Sequence, residues 1–549
     1  MIRICSAFVA MSALAVAAPA MAMQGSQMPV DPGSAARVSL SSPDRDVARD
    51  AVELGITSHA SDDGLRGATI GAVHVLGAPD VARGQFAAAV APFLGRAFGA
   101  SDTQELLGAV SGVARKHGYV FATSRIPPQT VSAGVLTVEV LEGRIDEVRL
   151  EGEQRPEVAN LLRPLVGNIG RTDDVDRLLM LATDLPGVTI GKVGYTLEGG
   201  RGILIIPVEY DRIRSWATID NRGSKALGPV RTQLGVDIAA LLSMDDRLTL
   251  QSVVTPADPG ELSVFYARYA YLLPGASTEL SLSGTYGRTN SGGRWEANKP
   301  HGQSIGGTAS LTHAIARGRA ESLWTSVDFT YFDIDQSWED QQIQRDRVAA
   351  LALSLNGYTS FVGGRLRAGA SATLALPVFG ATRQGDPLAS RRGAGSDYLV
   401  LRAWTNWTGK LAGPFSARFG VTTQFSSEPV LAIDQLTIGG QGFGRGYDFS
   451  ERAGDEGALA SAEFRSDLID RDQGLLRWLQ IYTFADGGVV RNLRSPSGTG
   501  DLYSAGAGTR LRLGSKIRVE VEAAFPLNDL RYDSGDKAPQ IMAALGAQF

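Results

Sequence analysis

The 549-residue chain contains a single cysteine, Cys5, near its N-terminus. Disulfides, thiolate metal sites and cysteine nucleophiles are therefore excluded from everything that follows that position. Long apolar runs are missing as well, because beyond the N-terminal stretch none reaches the roughly 18 residues that indicate a transmembrane helix. The chain thus depends on burial and on backbone hydrogen bonds for its stability.

Residue patterns that indicate a metal, nucleotide or catalytic site are also scarce. The five histidines have no metal-ligand spacing such as H-E-x-x-H, and no P-loop occurs. The stretch Gly302–Gly306 matches G-x-S-x-G, but strand-like alternation follows it, whereas a nucleophile elbow needs a strand-to-helix turn. The net charge of −5 argues against a general nucleic-acid binder. We therefore expect no catalytic residue, no enzyme activity, no cofactor, no metal and no nucleic-acid partner.

The N-terminus has the features of a secretory signal peptide. Arg3 gives a positive start, an apolar run follows, and Ala20-Met21-Ala22 is a small-x-small cleavage site. Residues 1–22 are therefore predicted to direct export and to be removed. Residues 23–67 begin rich in Ser, Gly and Pro and are predicted to be flexible, with one short helix over Asp46–Leu54.

Between residues 68 and 211 the apolar spacing predicts strands and helices in the order β-α-α-β-β, and this order occurs twice. The two predicted units cover 68–143 and 144–211. Ser101, with Gln104 three residues later, predicts a capping box at one helix start. Thr172 is predicted to cap a helix of the second unit. The spacing alone also allows a single α+β periplasmic domain.

From residue 212 to 549 the apolar residues alternate with period two, which predicts about sixteen antiparallel strands. Long connections such as Gln336–Ile343 and Glu428–Gly457 follow the odd strands, and tight turns follow the even ones. This rhythm is typical of outer-membrane barrels. The acidic run Asp333–Asp340 is predicted to be a solvated outer loop. The strand starts are predicted near Ser215, Val230, Arg247, Leu262, Ser277, Ser304, Ser322, Gln344, Val362, Tyr398, Phe415, Ala458, Gln480, Leu502, Lys516 and Gln540.

One connection has an unusual density of glycine. Five glycines occur in the eight positions from Gly439 to Gly446, and they surround a single arginine, Arg445. Because glycine loses much conformational freedom on folding, such a cluster needs a geometric reason. We expect a loop tip that packs closely while it presents one charge.

Four features of the sequence occur together. The first is the tandem repeat, and the other three are short motifs: Pro127, Pro128, Gln129, Gly134, Glu142 and Gly143 at the end of the first unit, Gly444-Arg445-Gly446-Tyr447 in the glycine-rich loop, and Phe484-Ala485-Asp486-Gly487-Gly488 on a predicted strand. Together they resemble the TpsB family, the two-partner secretion transporters of the haemolysin-activator and filamentous-haemagglutinin-exporter (ShlB/FhaC) type, in the BamA-like barrel superfamily. In that family similar motifs close the first polypeptide-transport-associated (POTRA) domain, form V-R-G-[YF] of the sixth extracellular loop and form F-x-D-x-G of the thirteenth strand.

The resemblance implies a membrane β-barrel over 212–549, preceded by two POTRA domains over 68–143 and 144–211, in the bacterial outer membrane. It implies that loop 428–456 folds into the lumen and that Arg445 pairs with Asp486. Helix Asp46–Leu54 is the one segment available as a lumen plug. Gly444 stands where valine is usual, so we expect a less firmly packed tip. The site residues implied are Gly442, Gly444, Gly446 and Tyr447 at the tip and Phe484 and Gly488 on the wall.

The function implied is a pore that binds an unfolded exoprotein in the periplasm through its POTRA domains and passes it to the cell surface. The expected partners are a TpsA-type exoprotein, outer-membrane lipid and lipopolysaccharide, and the barrel-assembly machinery that inserts the pore. The alternative is a BamA-like assembly factor that inserts other barrels. The cargo stays open among an adhesin, a cytolysin, a contact-dependent toxin and a haem-binding protein.

Overall fold

The structure is a computed structural model. It describes residues 54–56 (backbone only), 67–99, 101–129, 131, 134–224, 227–292, 300–339, 341–495, 498–532 and 534–549. The predicted signal peptide and most of the predicted flexible segment lie outside the described residues. The predicted helix Asp46–Leu54 does so too, except for Leu54, which begins a strand instead.

The chain divides between Asp211 and Arg212 into two compact units. In the described part of the chain no helix is long and apolar enough to cross a membrane. The elements of the N-terminal unit are β1 Leu54–Ile56, β2 Ala72–Leu76, α1 Arg83–Val90, α2 Asp102–Lys116, β3 Thr123–Arg125, β4 Val135–Leu141, β5 Glu147–Gly152, α3 Pro156–Leu162, α4 Thr172–Asp184, β6 Val188–Ile190, β7 Val193–Glu198 and β8 Arg201–Tyr210.

Each half of the N-terminal unit packs two helices on a small sheet. In the first half β4 lies between a parallel β2 and an antiparallel β3, and Leu106 and Val110 of α2 share a core with Leu136 and Val138 of β4. In the second half β8 pairs in parallel with β5 and antiparallel with β7. The predicted β-α-α-β-β order is confirmed in the first half, and the second half follows it with one additional short strand, β6, which pairs antiparallel with β8. β1 adds in parallel to the outer edge of β7.

The helix caps predicted at Ser101 and Thr172 are wrong. Neither α2 nor α4 has a side-chain hydrogen bond at its N-cap residue. At α2 the carboxylate of Asp102 accepts the Gly99 N–H at 2.5 Å and pairs with Arg96. Thr172 is the first residue of α4, and its N–H donates to the carbonyl of Gly118. In both helices other contacts replace the local cap that the sequence pattern indicates.

At the Pro-Pro-Gln sequence the backbone pairing of β3 with β4 ends, and the side chain of Gln129 continues it. Extension of the β3–β4 register would place Pro127 opposite Thr137, and proline has no N–H to donate. The side chain of Gln129 takes over this position. Its Oε1 accepts the Thr137 N–H at 2.8 Å, and its Nε2 donates to the Thr137 carbonyl at 2.6 Å.

The other signature residues hold the ends of the strands in the first half. Gly134 has φ +70°, and its carbonyl accepts the Gly71 N–H at 2.7 Å. The carboxylate of Glu142 accepts the Ala78 N–H at 3.1 Å, which fixes the chain after β2.

Gly143 lies where the two halves of this unit meet. It has φ +76°, and a Cβ at this position would lie 2.6 Å from the Cβ of Phe121. The ring of Phe121 in turn stacks on Tyr195 of β7, with ring centroids 4.7 Å apart. Gly143 is therefore required by close approach as well as by backbone conformation.

In the C-terminal unit, sixteen antiparallel strands among the described residues close into a barrel in which the first strand pairs with the last. The predicted fold class is confirmed. The sixteen barrel strands are β9 Ile213–Asp220, β10 Arg231–Ala239, β11 Asp246–Val254, β12 Leu262–Leu272, β13 Thr278–Asn290, β14 His301–Arg317, β15 Glu321–Trp338, β16 Gln341–Phe361, β17 Gly364–Leu376, β18 Leu399–Ala412, β19 Phe415–Ser426, β22 Glu456–Asp470, β23 Leu476–Arg491, β24 Gly500–Leu513, β25 Ile517–Pro526 and β26 Gln540–Gln548. The short strands β20 Leu436–Ile438 and β21 Arg452–Gly454 form a separate hairpin between β19 and β22.

Alternation along the strands separates an apolar outer face from a polar inner face. In β25 the side chains of Ile517, Val521 and Phe525 are exposed on the outside, whereas Glu522 is buried on the inside. Apolar side chains toward lipid and polar side chains toward the lumen are the arrangement of outer-membrane barrels.

The long loop predicted over Gln336–Ile343 is wrong. β15 continues to Trp338 and β16 starts at Gln341, so most of the acidic run lies in a strand. The reason is cross-strand pairing, because Asp333 forms ion pairs with Arg345 at 2.7 Å and Arg347 at 3.0 Å. These arginines neutralise the charge that indicated a solvated loop.

We expect Gln129→Ala to accelerate hydrogen exchange at the Thr137 amide, because this N–H loses its acceptor while β4 remains paired with β2. Loss of about 1 kcal/mol of hydrogen-bond free energy corresponds to roughly five-fold faster exchange. Hydrogen–deuterium exchange of the peptide that contains Thr137, in the purified full chain, measures the effect. Gln154→Ala is the matched control, because Gln154 donates only to carbonyls of its own segment. Unchanged exchange at Thr137 in Gln129→Ala would contradict the role of this side chain.

Candidate functional site

The glycine-rich segment forms the tip of the connection between β19 and β22, residues 427–455, here called loop 427–455. Pairing of β20 with β21 brings the two limbs of the loop together below the tip. Gly439, Gly440 and Gly442 have φ values of +118°, +85° and +109°, which side chains other than glycine rarely adopt. Gly446 is required by space, because a Cβ there would lie 2.6 Å from the backbone of Phe525 and Pro526.

The tip holds Arg445 against Asp486 of β23. Arg445 Nε donates to Asp486 Oδ2 at 2.5 Å. The second oxygen of Asp486 accepts the backbone N–H groups of Gly444 at 2.8 Å and Arg445 at 3.1 Å, and it also accepts the hydroxyl of Ser504. One buried carboxylate therefore fixes both the guanidinium and the backbone of the tip.

Arg445 has further partners on the inner wall. Its Nη1 donates to Glu522 at 2.9 Å and to Glu463 at 3.3 Å. The ring of Phe484 lies under the guanidinium, with Cζ 3.4 Å from the ring centroid. A planar guanidinium suits this site because it combines several donors in fixed directions with a face that stacks on an aromatic ring.

The wall carboxylates belong to a larger charge network. Glu463 also pairs with Arg465 and Arg510, and Glu520 pairs with Arg510 and Arg222. The hydroxyl of Tyr482 lies 2.9 Å from both Glu520 and Glu522. Among the described residues, this network contains four arginines and four carboxylates, so its formal charge is balanced: Arg222, Arg445, Arg465, Arg510, Asp486, Glu463, Glu520 and Glu522.

The neighbouring carboxylates stabilise the positive charge of Arg445. Burial lowers the pKa of Arg445, but the negative charges of Asp486 and Glu522 outweigh burial and raise the pKa above its ordinary value. The guanidinium therefore stays charged, and removal of either partner would leave an uncompensated buried charge.

The looser tip expected from Gly444 is not observed. Gly444 has φ +75°, and its N–H is bound by Asp486. Tyr447, three residues later, is fully buried, and its hydroxyl donates to Asn528 at 2.8 Å and accepts the Asp529 N–H at 3.0 Å. A Cβ at Gly488, on the wall, would lie 2.7 Å from Leu459 Cα, so the wall motif also needs glycine for close packing.

Sequence reasoning missed a second buried ion pair at the base of the loop. Asp455, which precedes β22, is fully buried and pairs with Arg391 from the connection between β17 and β18. The same carboxylate accepts the N–H groups of Val430 at 2.9 Å and Leu493 at 2.8 Å. Arg391 also donates to the Val430 carbonyl at 2.5 Å.

The Arg391–Asp455 pair joins both limbs of loop 427–455 to two other connections. No motif singles out Arg391 or Asp455, which lie in irregular segments next to other charged residues, Arg392 and Glu456. Glu463 and Glu522 were also missed, although their period-two position on the polar face was a usable signal. Ser304 of the G-x-S-x-G match lies within β14, not at a strand-to-helix turn.

Comparison with known proteins identifies the family. The profile described as haemolysin secretion/activation protein ShlB/FhaC/HecB matches residues 199–511, and the profile of the ShlB-type POTRA domain matches residues 68–143. The chain belongs to the ShlB/FhaC/HecB family. The predicted membership in the two-partner secretion transporters is thereby confirmed.

Individual relatives agree with this assignment. The chain is 22% identical over 468 residues to the heme/hemopexin transporter protein HuxB of Haemophilus influenzae, which covers 81% of this chain and 80% of HuxB. It is 21% identical over 485 residues to the outer membrane transporter CdiB of Escherichia coli, which covers 84% of this chain and 79% of CdiB. Both relatives are transporters, as the family description implies.

Solved structures show the same fold. CdiB from Escherichia coli superimposes with a TM-score of 0.67 at 17% identity, over 91% of this chain and 95% of that chain. BamA from Haemophilus ducreyi lacking POTRA domains 1–3 gives 0.53 at 14% identity, over 88% of this chain and all of that chain. The protein is therefore an outer-membrane barrel of the two-partner secretion family with a periplasmic POTRA region, and the family assignment favours this over the assembly-factor alternative.

We expect Arg445→Ala to release the loop tip, because Asp486, Glu463 and Glu522 then lose a shared counter-charge. Loss of one partner of a buried pair destabilises by about 3–5 kcal/mol. A lower midpoint temperature for the folded barrel on seminative gels, with new protease cleavage in the tip, measures this. Arg445→Lys should be intermediate, since an ammonium keeps the charge but lacks the planar face and the fixed fork of donors of a guanidinium. Arg471→Ala, in an exposed turn, is the control, and equal behaviour of the two alanine variants would contradict the assignment.

We expect Arg391→Ala to lower the same midpoint temperature independently, because Asp455 would be left buried without its cation. The matched control is the neighbouring and exposed Arg392, whose replacement by alanine should leave the midpoint unchanged. Protease cleavage should then appear near residue 430 rather than at the tip. Cleavage at the tip alone would show that the Arg391–Asp455 pair has no separate effect on the loop.

Proposed function

We propose that this chain secretes one partner exoprotein through the barrel lumen, and that Arg445 and Asp486 control the position of the loop that lies there. The observation that carries the proposal is the placement of the loop tip among inward-facing carboxylates of β22, β23 and β25. A chain that crosses the same lumen has to pass this loop. A paired guanidinium gives the loop one defined position and still allows its release, since the pair is made of non-covalent contacts.

Recognition of the exoprotein is proposed to use free sheet edges of the POTRA region. Among the described residues β2 pairs only with β4, and β5 pairs only with β8, so each has one unpaired edge. Strand addition to such an edge supplies main-chain hydrogen bonds without a strict sequence requirement, which suits an unfolded substrate. The edge of β7 is already paired with β1 over Val193–Tyr195.

The domain limits that we propose are 68–143 and 144–211 for the POTRA domains and 212–549 for the barrel, with loop 428–456 inside it and a signal peptide over 1–22. Insertion by the barrel-assembly machinery and contact with lipopolysaccharide belong to the same proposal, supported by the exposed apolar outer face of the strands. Since the chain has no nucleotide-binding motif, folding of the exoprotein outside the cell is the proposed driving force.

The test is secretion by strains that carry wild-type, Arg445→Ala or Arg471→Ala protein in place of the deleted gene. We expect one large exoprotein to disappear from the supernatant after deletion, to return with wild type and Arg471→Ala, and to stay strongly reduced with Arg445→Ala although the barrel reaches the outer membrane. An unchanged supernatant after deletion would refute secretion. A general loss of other outer-membrane barrels would instead support the assembly-factor alternative.

A further inference from the structure

The first hairpin of the barrel exposes several apolar side chains at its turn. The turn between β10 and β11, residues 240–245, presents Leu241, Leu242 and Met244, and Leu242 is 80% exposed. This turn lies at the end of the barrel where β9 begins, because Ile238 pairs with Ile213. It is therefore a periplasmic turn, since β9 follows the periplasmic POTRA region.

The residue that follows the turn faces the outside of the barrel. In β11, Thr249 binds Asp237 inside the barrel, whereas Leu250 is exposed on the outside. Asp246 has the same parity as Leu250 and therefore lies on the outer face. On the next strand Tyr269 is paired opposite Leu248 and shares this outer face.

Asp246 is nevertheless fully buried. Its carboxylate accepts the backbone N–H groups of Leu241 at 2.6 Å, Leu242 at 2.9 Å and Ser243 at 2.7 Å, and the hydroxyl of Tyr269 at 2.9 Å. Because all three consecutive N–H groups point at a side chain on the outer face, the turn is folded over that face. It covers the carboxylate with its own backbone.

A turn that contacts lipid acyl chains has to cover its backbone N–H groups and its carboxylates in this way. In lipid each unpaired backbone N–H and each uncovered carboxylate is strongly unfavourable, whereas in water both are readily hydrated. The turn leaves its apolar side chains outside, and Asp246 binds three of its donors, while Asp245 at the end of the turn is half-buried. In water the exposed leucines would have no compensating contact.

We propose that turn 240–245 is an anchor in the periplasmic leaflet of the outer membrane, with Leu242 and Met244 among the lipid acyl chains. The patch is continuous with the lipid-facing surface of the barrel through the exposed Ile213 and Leu250. Asp246 is the positioning residue, because it holds the backbone of the turn over the outer wall. The inference rests on the outer-membrane location and is independent of transport through the lumen.

The test uses the scarcity of cysteine. With Cys5 replaced by alanine, a single cysteine is placed at Leu242 or at Ser515, which is exposed on the polar turn between β24 and β25 at the same end of the barrel. Each is labelled with an environment-sensitive fluorophore, and the full chain is reconstituted in phospholipid vesicles. We expect blue-shifted emission at 242 that is quenched by nitroxide-labelled acyl chains and not by aqueous iodide. At 515 we expect the opposite.

A label at 242 that behaves like the label at 515 overturns the proposal. A label at 242 that neither quencher reaches also overturns it, because protein rather than lipid would then cover the turn. In the Asp246→Asn background we expect the emission at 242 to shift toward that of an aqueous label while the barrel remains folded on seminative gels. Because none of these readouts involves the exoprotein, their failure is distinguishable from a failure of secretion.

Discussion

The guanidinium of Arg445 inside the barrel is the constraint on which the rest of the site depends. A cation removed from water needs counter-charges and hydrogen-bond acceptors at fixed distances. Asp486, Glu463 and Glu522 provide them, and each comes from a different strand of the inner wall. The strands must therefore alternate with a polar face inward, and the loop must be long and glycine-rich enough to bring its tip against the wall. Lumen polarity, loop length and glycine content all follow from one buried charge.

Three aspartates fix loops by the same physical means. Asp486 accepts backbone N–H groups of the tip, Asp455 accepts those of Val430 and Leu493, and Asp246 accepts those of the first periplasmic turn. A carboxylate binds several donors at once and so orders irregular backbone that has no ladder partner. Two of the three also hold an arginine, and these two lie at the tip and at the base of loop 427–455. The third, Asp246, pairs with no arginine among the residues that the structure describes, and it faces the outside, where the surrounding solvent is lipid.

The N-terminal unit solves a related problem with a neutral side chain. Gln129 replaces the backbone of Pro127 opposite Thr137, so the β3–β4 ladder continues past a proline. The strand β1 occupies part of the β7 edge, whereas within the described part of the chain β2 and β5 each keep one edge unpaired. Backbone pairing, and not side-chain composition, therefore decides which sheet edges can accept another strand.

The sequence by itself determined the period-two strands, their number and order, the tandem β-α-α-β-β units and the two motifs that supply Arg445 and Asp486. These features depend on local spacing, and side-chain alternation follows directly from strand geometry. Only the tertiary structure decided which charges meet, since Glu463 and Glu522, which bind Arg445, and the pair Arg391 and Asp455 belong to no motif. It also overturned the caps at Ser101 and Thr172 and the loop at Gln336–Ile343. At Thr172 and at Asp333 a partner from another segment, Gly118 or Arg345, outweighed the local preference, whereas at Ser101 the neighbouring carboxylate of Asp102 replaced the expected cap.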